Sequence, residues 1–175
     1  MIVVLRGIMG AGKSTLAAQL ALSSPHTAIV SRDTIRERHF HRQGRLDDRD
    51  EDIVSELEMR ECIEHLDRGC SVIIDATNLE PDHVQRWQTL AADRGIDCLV
   101  IDVYASLETC IANVAHRAEH GGHDVDEQVI RQVWRDYPPG TWMPPPDHVI
   151  GERPLPFHSP RTITDHKPHR PAATG

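Results

Sequence analysis

The chain has 175 residues, 39% of them hydrophobic and 26% charged, with a formal net charge of −8 at pH 7. That length fits one domain without room for a second core, and the composition is too apolar for a disordered chain. The acidic balance excludes a protein that coats nucleic acid by bulk electrostatics, so any nucleic-acid contact must be local. No run approaches the ~18 to 20 apolar residues of a membrane span, and the start MIVVLRGIMGAGKS lacks the basic region and cleavage site of a secretion signal. No membrane partner is expected. Cys62, Cys70, Cys98 and Cys110 form no C-x-x-C pair and fall in segments that read as helix or strand, the pattern of reduced core cysteines in a cytoplasmic protein.

Ile2 to Leu5 is an apolar, β-branched run suited to a strand buried on both faces, and it leads into a glycine-rich turn. A helix is expected from Lys13 to Leu22 and a short strand from Ala28 to Val30. Arg32 to Arg45 is polar, with five Arg against Asp33 and Glu37, before the acidic run Asp47 to Asp52 reverses the sign. From Asp52 to Arg68, Ile53, Leu57, Ile63 and Leu66 suggest one apolar helical face, closed by Gly69. Ser71 to Asp75 is the next buried strand, and Pro81 opens a helix running to about Asp93, ended by Gly95. A strand from Ile96 to Tyr104, a helix from Ser106 to about His116 and a glycine-containing loop follow. Asp124 and Glu127 are placed as a capping box for a helix to about Asp136. Asp147 to Ile150 makes a last strand. Residues 1–151 are read as one domain and 152–175 as a Pro/His-rich tail. Alternating strands and helices imply an α/β fold, a mainly parallel sheet of about five strands with helices on both faces.

Gly7-Ile8-Met9-Gly10-Ala11-Gly12-Lys13-Ser14-Thr15 matches the phosphate-binding loop G-x-x-x-x-G-K-[ST], in the strand-to-helix context that motif requires. Its glycines let successive N–H groups curl toward phosphate oxygens, Lys13 supplies a charge to the β and γ phosphates, and the Ser14 hydroxyl suits Mg²⁺. Asp75, at the end of a buried strand, is the partner carboxylate for that metal. ATP or another nucleoside triphosphate and Mg²⁺ are therefore the expected cofactors. No N-K-x-D tetrad specifies guanine, so a kinase fits better than a GTPase.

Ser31-Arg32-Asp33-Thr34-Ile35-Arg36 follows the second strand and should emerge beside the phosphate loop. An Asp there can take an acceptor hydroxyl's proton, and Arg32 and Arg36, one helical turn apart, can bind an anionic acceptor. Together, the loop, S-R-D-x-x-R and V-I-I-D-A-T-N-L-x-P resemble the 5′-kinase domain of phage polynucleotide kinase and bacterial end-healing kinase-phosphatases, over about residues 1 to 136. The resemblance implies a small P-loop kinase with a helical lid acting on DNA or RNA. It assigns Lys13 and Ser14 to phosphate and metal, Asp33 as general base, Arg36 to the neighbouring substrate phosphate, and Arg117 as the lid arginine. Arg32, Thr77 and Asn78 are further substrate-side candidates. Where the family's lid commonly carries another arginine, this chain has Asn113, Val114 and Ala115, with Arg131 and Arg135 as possible substitutes. The phosphatase domain has no counterpart, so 3′-phosphatase activity is not expected.

The spacing of His116, His120 and His123 suits Zn²⁺ only on an unbroken helix, and Gly121 and Gly122 interrupt one. These histidines are expected to face phosphate or water instead. The expected activity is ATP-dependent phosphorylation of a polynucleotide 5′-hydroxyl. The alternatives are a kinase acting on a hydroxymethylated pyrimidine in DNA, a nucleoside, a nucleotide or a nucleotide sugar, or a non-catalytic nucleotide-binding module that docks through the arginine-rich segment.

Overall fold

The computed structural model describes residues 1–42 and 44–151, so the tail expected at 152–175 lies outside the described residues. The elements in chain order are β1 (Ile2–Arg6), α1 (Lys13–Ser23), β2 (Thr27–Ser31), α2 (Arg32–Phe40), α3 (Asp48–Asp67), β3 (Ser71–Asp75), α4 (Pro81–Arg94), β4 (Cys98–Val103), α5 (Leu107–Glu119), α6 (Glu127–Asp136) and β5 (His148–Ile150). The strands form one sheet in the order β2-β3-β1-β4-β5, with every pairing parallel.

In β1 alternate residues face opposite layers. Ile2 and Val4 join Val54, Leu57 and Cys62 of α3 and Val84, Trp87 and Ala91 of α4. Val3 and Leu5 pack on the other face with Ala17, Leu16 and Leu20 of α1. This two-sided burial is why the strand reads as an unbroken apolar run. A third cluster sits at the end of the sheet, where Ile8, Ala11, Val103, Cys110, Val114, Ile130 and Trp142 bind the loop after β1 to α5 and α6. β3 lies between β1 and β2, and β4 lies on the other side of β1. The crevice at the carboxyl ends of β1 and β3 is therefore the switch point where α/β sheets bind ligands.

Four local expectations are corrected. α3 begins at Asp48 rather than Asp52, because Asp47 caps it by accepting from the Asp50 N–H at 2.9 Å, and the acidic run complements the helix dipole. Its buried face is Val54, Leu57, Glu58 and Cys62, a regular 3- to 4-residue spacing that leaves Ile53 exposed. α5 runs to Glu119, three residues beyond the expected end. The cap of α6 is Asp126, which accepts from Gln128 N–H at 2.7 Å, in place of the Asp124–Glu127 box.

Arg6, the residue before the phosphate loop, is fully buried beside Asp102 of β4, its register partner. Arg6 Nε donates to Asp102 Oδ1 at 2.6 Å and Arg6 Nη2 donates to the Pro144 carbonyl at 2.9 Å. Tyr104 Oη donates to Asp102 Oδ2 at 2.9 Å, and the guanidinium lies 5.7 Å from the centre of the Trp142 ring. This charge cluster ties the 137–147 segment to the strand that launches the loop. Removing one charge leaves the other buried without its counterion, so Asp102→Ala should cost about 3–5 kcal/mol in urea unfolding. Arg6→Met combined with Asp102→Leu should recover a large part of that loss.

Candidate active site

The loop after β1 is held where only glycine fits. A Cβ on Gly7 would stand 2.6 Å from the Val103 carbonyl oxygen, and one on Gly10 would stand 2.2 Å from that of Cys110. Gly10 also has φ +82°, and Gly12, which caps α1, has φ +99°. The Gly7 N–H donates to the Thr77 carbonyl at 3.0 Å, joining the loop to the exit of β3. From the other side Asn113 Nδ2 donates to the Gly10 carbonyl at 2.8 Å. Asn113 therefore anchors the loop to α5.

Lys13 is buried, and its Nζ donates to the carbonyls of Gly7 at 2.9 Å and Ile8 at 3.0 Å. Burial pushes its pKa down, opposed by the charge of Asp75 and, more weakly, of Asp33. Asp75 is pushed up by burial, against a hydrogen bond from Ser14 and the charge of Lys13. Ser14 and Thr15 are exposed at the start of α1. The site thus pairs a desolvated ammonium with a desolvated carboxylate beside a hydroxyl. Both shifts arise where a bound charge would relieve them.

On the neighbouring strand, Asp33 and Arg36 sit on α2 directly after β2. Asp33 is half exposed, and its Oδ1 accepts from Arg36 Nη1 at 2.7 Å. Arg36 is gripped from behind by Glu51 of α3, with Nε to Oε1 and Nη2 to Oε2 both at 2.9 Å. Glu51 Oε2 also accepts from Arg32 Nη2 at 2.6 Å. Arg32 Nη1 reaches Ser55 Oγ at 3.0 Å and the buried Glu58 at 3.1 Å, and Glu58 in turn pairs with Arg86, whose guanidinium stacks on Trp87. Burial would raise the Glu51 pKa, but hydrogen bonds from Arg36, the Leu46 N–H and Arg32 outweigh it and hold the carboxyl at about 2.

Arg117 on α5 comes to the same site. Its charge acts on Lys13 and Asp75, and its Nε donates to the His123 carbonyl at 3.0 Å. The His123 ring packs on Gly44, where a Cβ would stand 2.2 Å from ring Cε1, and it lies in the field of Asp33. Arg131 and Arg135 instead pair with Glu127 and Gln132 on their own helix. Asn78 departs from its expected substrate role. It is buried at φ +47° and its Nδ2 donates to the Leu5 carbonyl at 2.8 Å, clamping β3 to β1 under the loop. Arg32 faces α3 and the carboxylates there rather than the phosphate loop.

The sequence reading missed Glu51, Glu58, Arg86, Arg6 and Asp102. For Glu51 a signal was present: an acidic run directly after an arginine-rich segment is a charge pair waiting for a turn. For Arg6 the signal is a charge closing an otherwise apolar strand. Glu58 and Arg86 meet only through the packing of α3 on α4.

Fold and phosphate loop together define an α/β P-loop domain with a fold of the small-kinase type. The chain belongs to the AAA domain family, whose model matches residues 2–139. No curated protein matches the sequence. Among solved structures, the Pnkp1/Rnl/Hen1 RNA repair complex contains a similar chain, at 23% identity and TM-score 0.65. The match covers 75% of this chain and 42% of that one, so this chain spans about two fifths of that neighbour's length. A candidate kinase from Chloroflexus aurantiacus matches at 21% identity and TM-score 0.65, covering 85% of this chain and 86% of that one. A gluconokinase from Sinorhizobium meliloti 1021 matches at 15% identity and TM-score 0.50, covering 74% and 70%. At these identities the likeness is one of fold. Among the described residues no helix is long and apolar enough to cross a membrane.

Glu51 gives the site a pH signature. Its pKa is lowered on folding, so its contribution to stability is present above its ordinary value of 4.5 and is lost as pH falls toward 2. Urea midpoints measured from pH 6 to pH 2 should fall through that window. Glu51→Gln should be less stable at pH 6 and should show a flatter acid limb.

Proposed function

We propose that the chain is an ATP-dependent polynucleotide kinase that transfers the γ-phosphate to a 5′-hydroxyl of DNA or RNA. The observation that carries this reading is the placement of Asp33 and Arg36, braced by Glu51, beside the loop that bears Lys13 and next to the Ser14–Asp75 pair. The likeness in fold to a chain of an RNA repair complex supports a nucleic-acid acceptor.

The loop N–H groups of residues 7–15 and the α1 N-terminus hold the triphosphate, and Lys13 exchanges its carbonyl partners for β and γ oxygens. The Ser14 hydroxyl and the Asp75 carboxylate are hard oxygen donors near one another, a set that fits Mg²⁺. Bound there, the metal would supply charge neutralisation on the phosphate oxygens. Asp33 Oδ1 is engaged by Arg36, and Oδ2 takes the proton of the acceptor hydroxyl as its oxygen bonds to the γ-phosphorus. The bond to the β–γ bridging oxygen breaks and ADP leaves. Arg36 keeps N–H groups beyond those committed to Glu51 and Asp33, enough to hold one acceptor phosphate. Arg117, whose charge acts on Lys13 and Asp75, would meet the transferring group from the lid.

One observation favours a second reading. Arg32 is committed to Glu51, Ser55 and Glu58, so the anionic grip on the acceptor rests on Arg36 alone, which also suits a small hydroxylated acceptor carrying a single phosphate.

Transfer of labelled γ-phosphate to 5′-hydroxyl DNA, 5′-hydroxyl RNA, base-hydroxymethylated DNA and free nucleosides tests the assignment. Strong preference for a 5′-hydroxyl end with a neighbouring 3′ phosphate is expected, and equal use of free nucleosides would overturn it. Asp33→Asn should lower kcat by roughly 10²- to 10⁴-fold with ATP affinity nearly unchanged. A loss confined to ATP affinity would put Asp33 on the donor side.

A further inference from the structure

We infer that the last turn of α5 carries a transition-metal site formed by His116, Glu119 and His120, of a class suited to Zn²⁺. These residues stand at i, i+3 and i+4 across the end of α5, where His120 is the C-cap, and their side chains gather on one side. One ligand atom from each lies within 4.8 Å of the other two, and the imidazole centres are 4.4 Å apart. The side chains of His116 and Glu119 are exposed, so rotation about their own bonds can bring their donors toward the His120 ring, to the ~3.3 Å separation of a tetrahedral set, without moving the backbone.

The orientation of His120 is a second, independent observation. Its Nδ1 lies 2.7 Å from the His116 carbonyl oxygen. A carbonyl only accepts, so Nδ1 carries the hydrogen and Nε2 keeps its lone pair for a metal. Ligating histidines are held in this way by an outer hydrogen bond that fixes tautomer and ring direction. The helix supplies both ligand and brace, because the residue that offers the carbonyl is itself a ligand.

Two imidazoles and one carboxylate select Zn²⁺ and its neighbours among the first-row divalent ions, and they disfavour Mg²⁺, which prefers oxygen donors. The site is therefore separate in chemistry from the Ser14–Asp75 pair. Three protein ligands leave a fourth position for water. Arg117 lies inside this turn, its carbonyl accepts from the N–H groups of His120 at 3.1 Å and Gly122 at 3.0 Å, and its Nε holds the His123 carbonyl. Metal bound across His116 and His120 would suppress fraying of the turn from which the lid arginine projects.

The chain has twelve histidines, so the test must distinguish this turn from the others. The full chain is titrated with Zn²⁺ by calorimetry in excess Mg²⁺, and with Co²⁺ while the visible absorption of a four-coordinate ion is followed. One saturable equivalent is expected, with His116→Ala/His120→Ala weakening it by at least about tenfold and Glu119→Gln weakening it less. The positions are exposed, so the variants should keep the wild-type far-ultraviolet spectrum. Unchanged affinity in the double variant would assign the metal to other histidines and overturn the inference, as would failure of the wild-type chain to bind Zn²⁺ saturably.

Discussion

Glu51 holds two guanidinium groups with one carboxylate, and the geometry of the proposed acceptor side depends on it. A bidentate contact to Arg36 fixes the plane of that guanidinium, which in turn fixes Asp33 through Nη1. The second contact, to Arg32, links the start of α2 to α3 and carries the network on to Glu58 and Arg86. Three arginines face Asp33, Glu51 and Glu58, so the charges balance within the cluster. An imbalance would leave a charge uncompensated in the half-buried layer between α2, α3 and α4. The fact that Glu51 is held at about pKa 2 expresses the same compensation in protonation terms.

On the donor side the balance runs the other way. Lys13 and Asp75 are both desolvated, and each is shifted toward its neutral form by burial. The glycines at 7 and 10 bring the loop against backbone oxygens of Val103 and Cys110 with no space for a side chain. The buried Arg6–Asp102 pair stiffens the strand beneath. A rigid base with poorly compensated charges at its tip is an arrangement that gains most when a polyphosphate arrives.

Much of this was legible in the sequence, because it is written in local patterns. The residues of β3, the start of α4 at Pro81 and its stop at Gly95 follow from apolar runs and backbone chemistry, and the phosphate loop follows from its spacing. The mainly parallel sheet expected from the alternation of elements is parallel at every pairing. What escaped depends on contacts between elements distant in sequence. Asn78 reads as a polar residue after a metal-binding carboxylate, yet its amide reaches 73 positions back to Leu5. Ile53 reads as core by type, but the helix turns Val54 inward instead. Asp124 matches a capping motif, while Asp126, two residues on, has the geometry to cap. Arg32 reads as an anion ligand until Glu51, Ser55 and Glu58 are seen to occupy it.

The central claim is that Glu51 positions the acceptor machinery through Arg36 and Asp33 without touching the donor. Steady-state phosphate transfer by Glu51→Gln, with ATP and the 5′-hydroxyl acceptor varied separately, measures this most directly. Gln keeps the size but loses the charge and one half of the bidentate grip. The account predicts a lower kcat and a higher KM for the acceptor, with KM for ATP nearly unchanged, in a variant that remains folded at pH 7. Wild-type acceptor kinetics, or a defect confined to ATP, would contradict it.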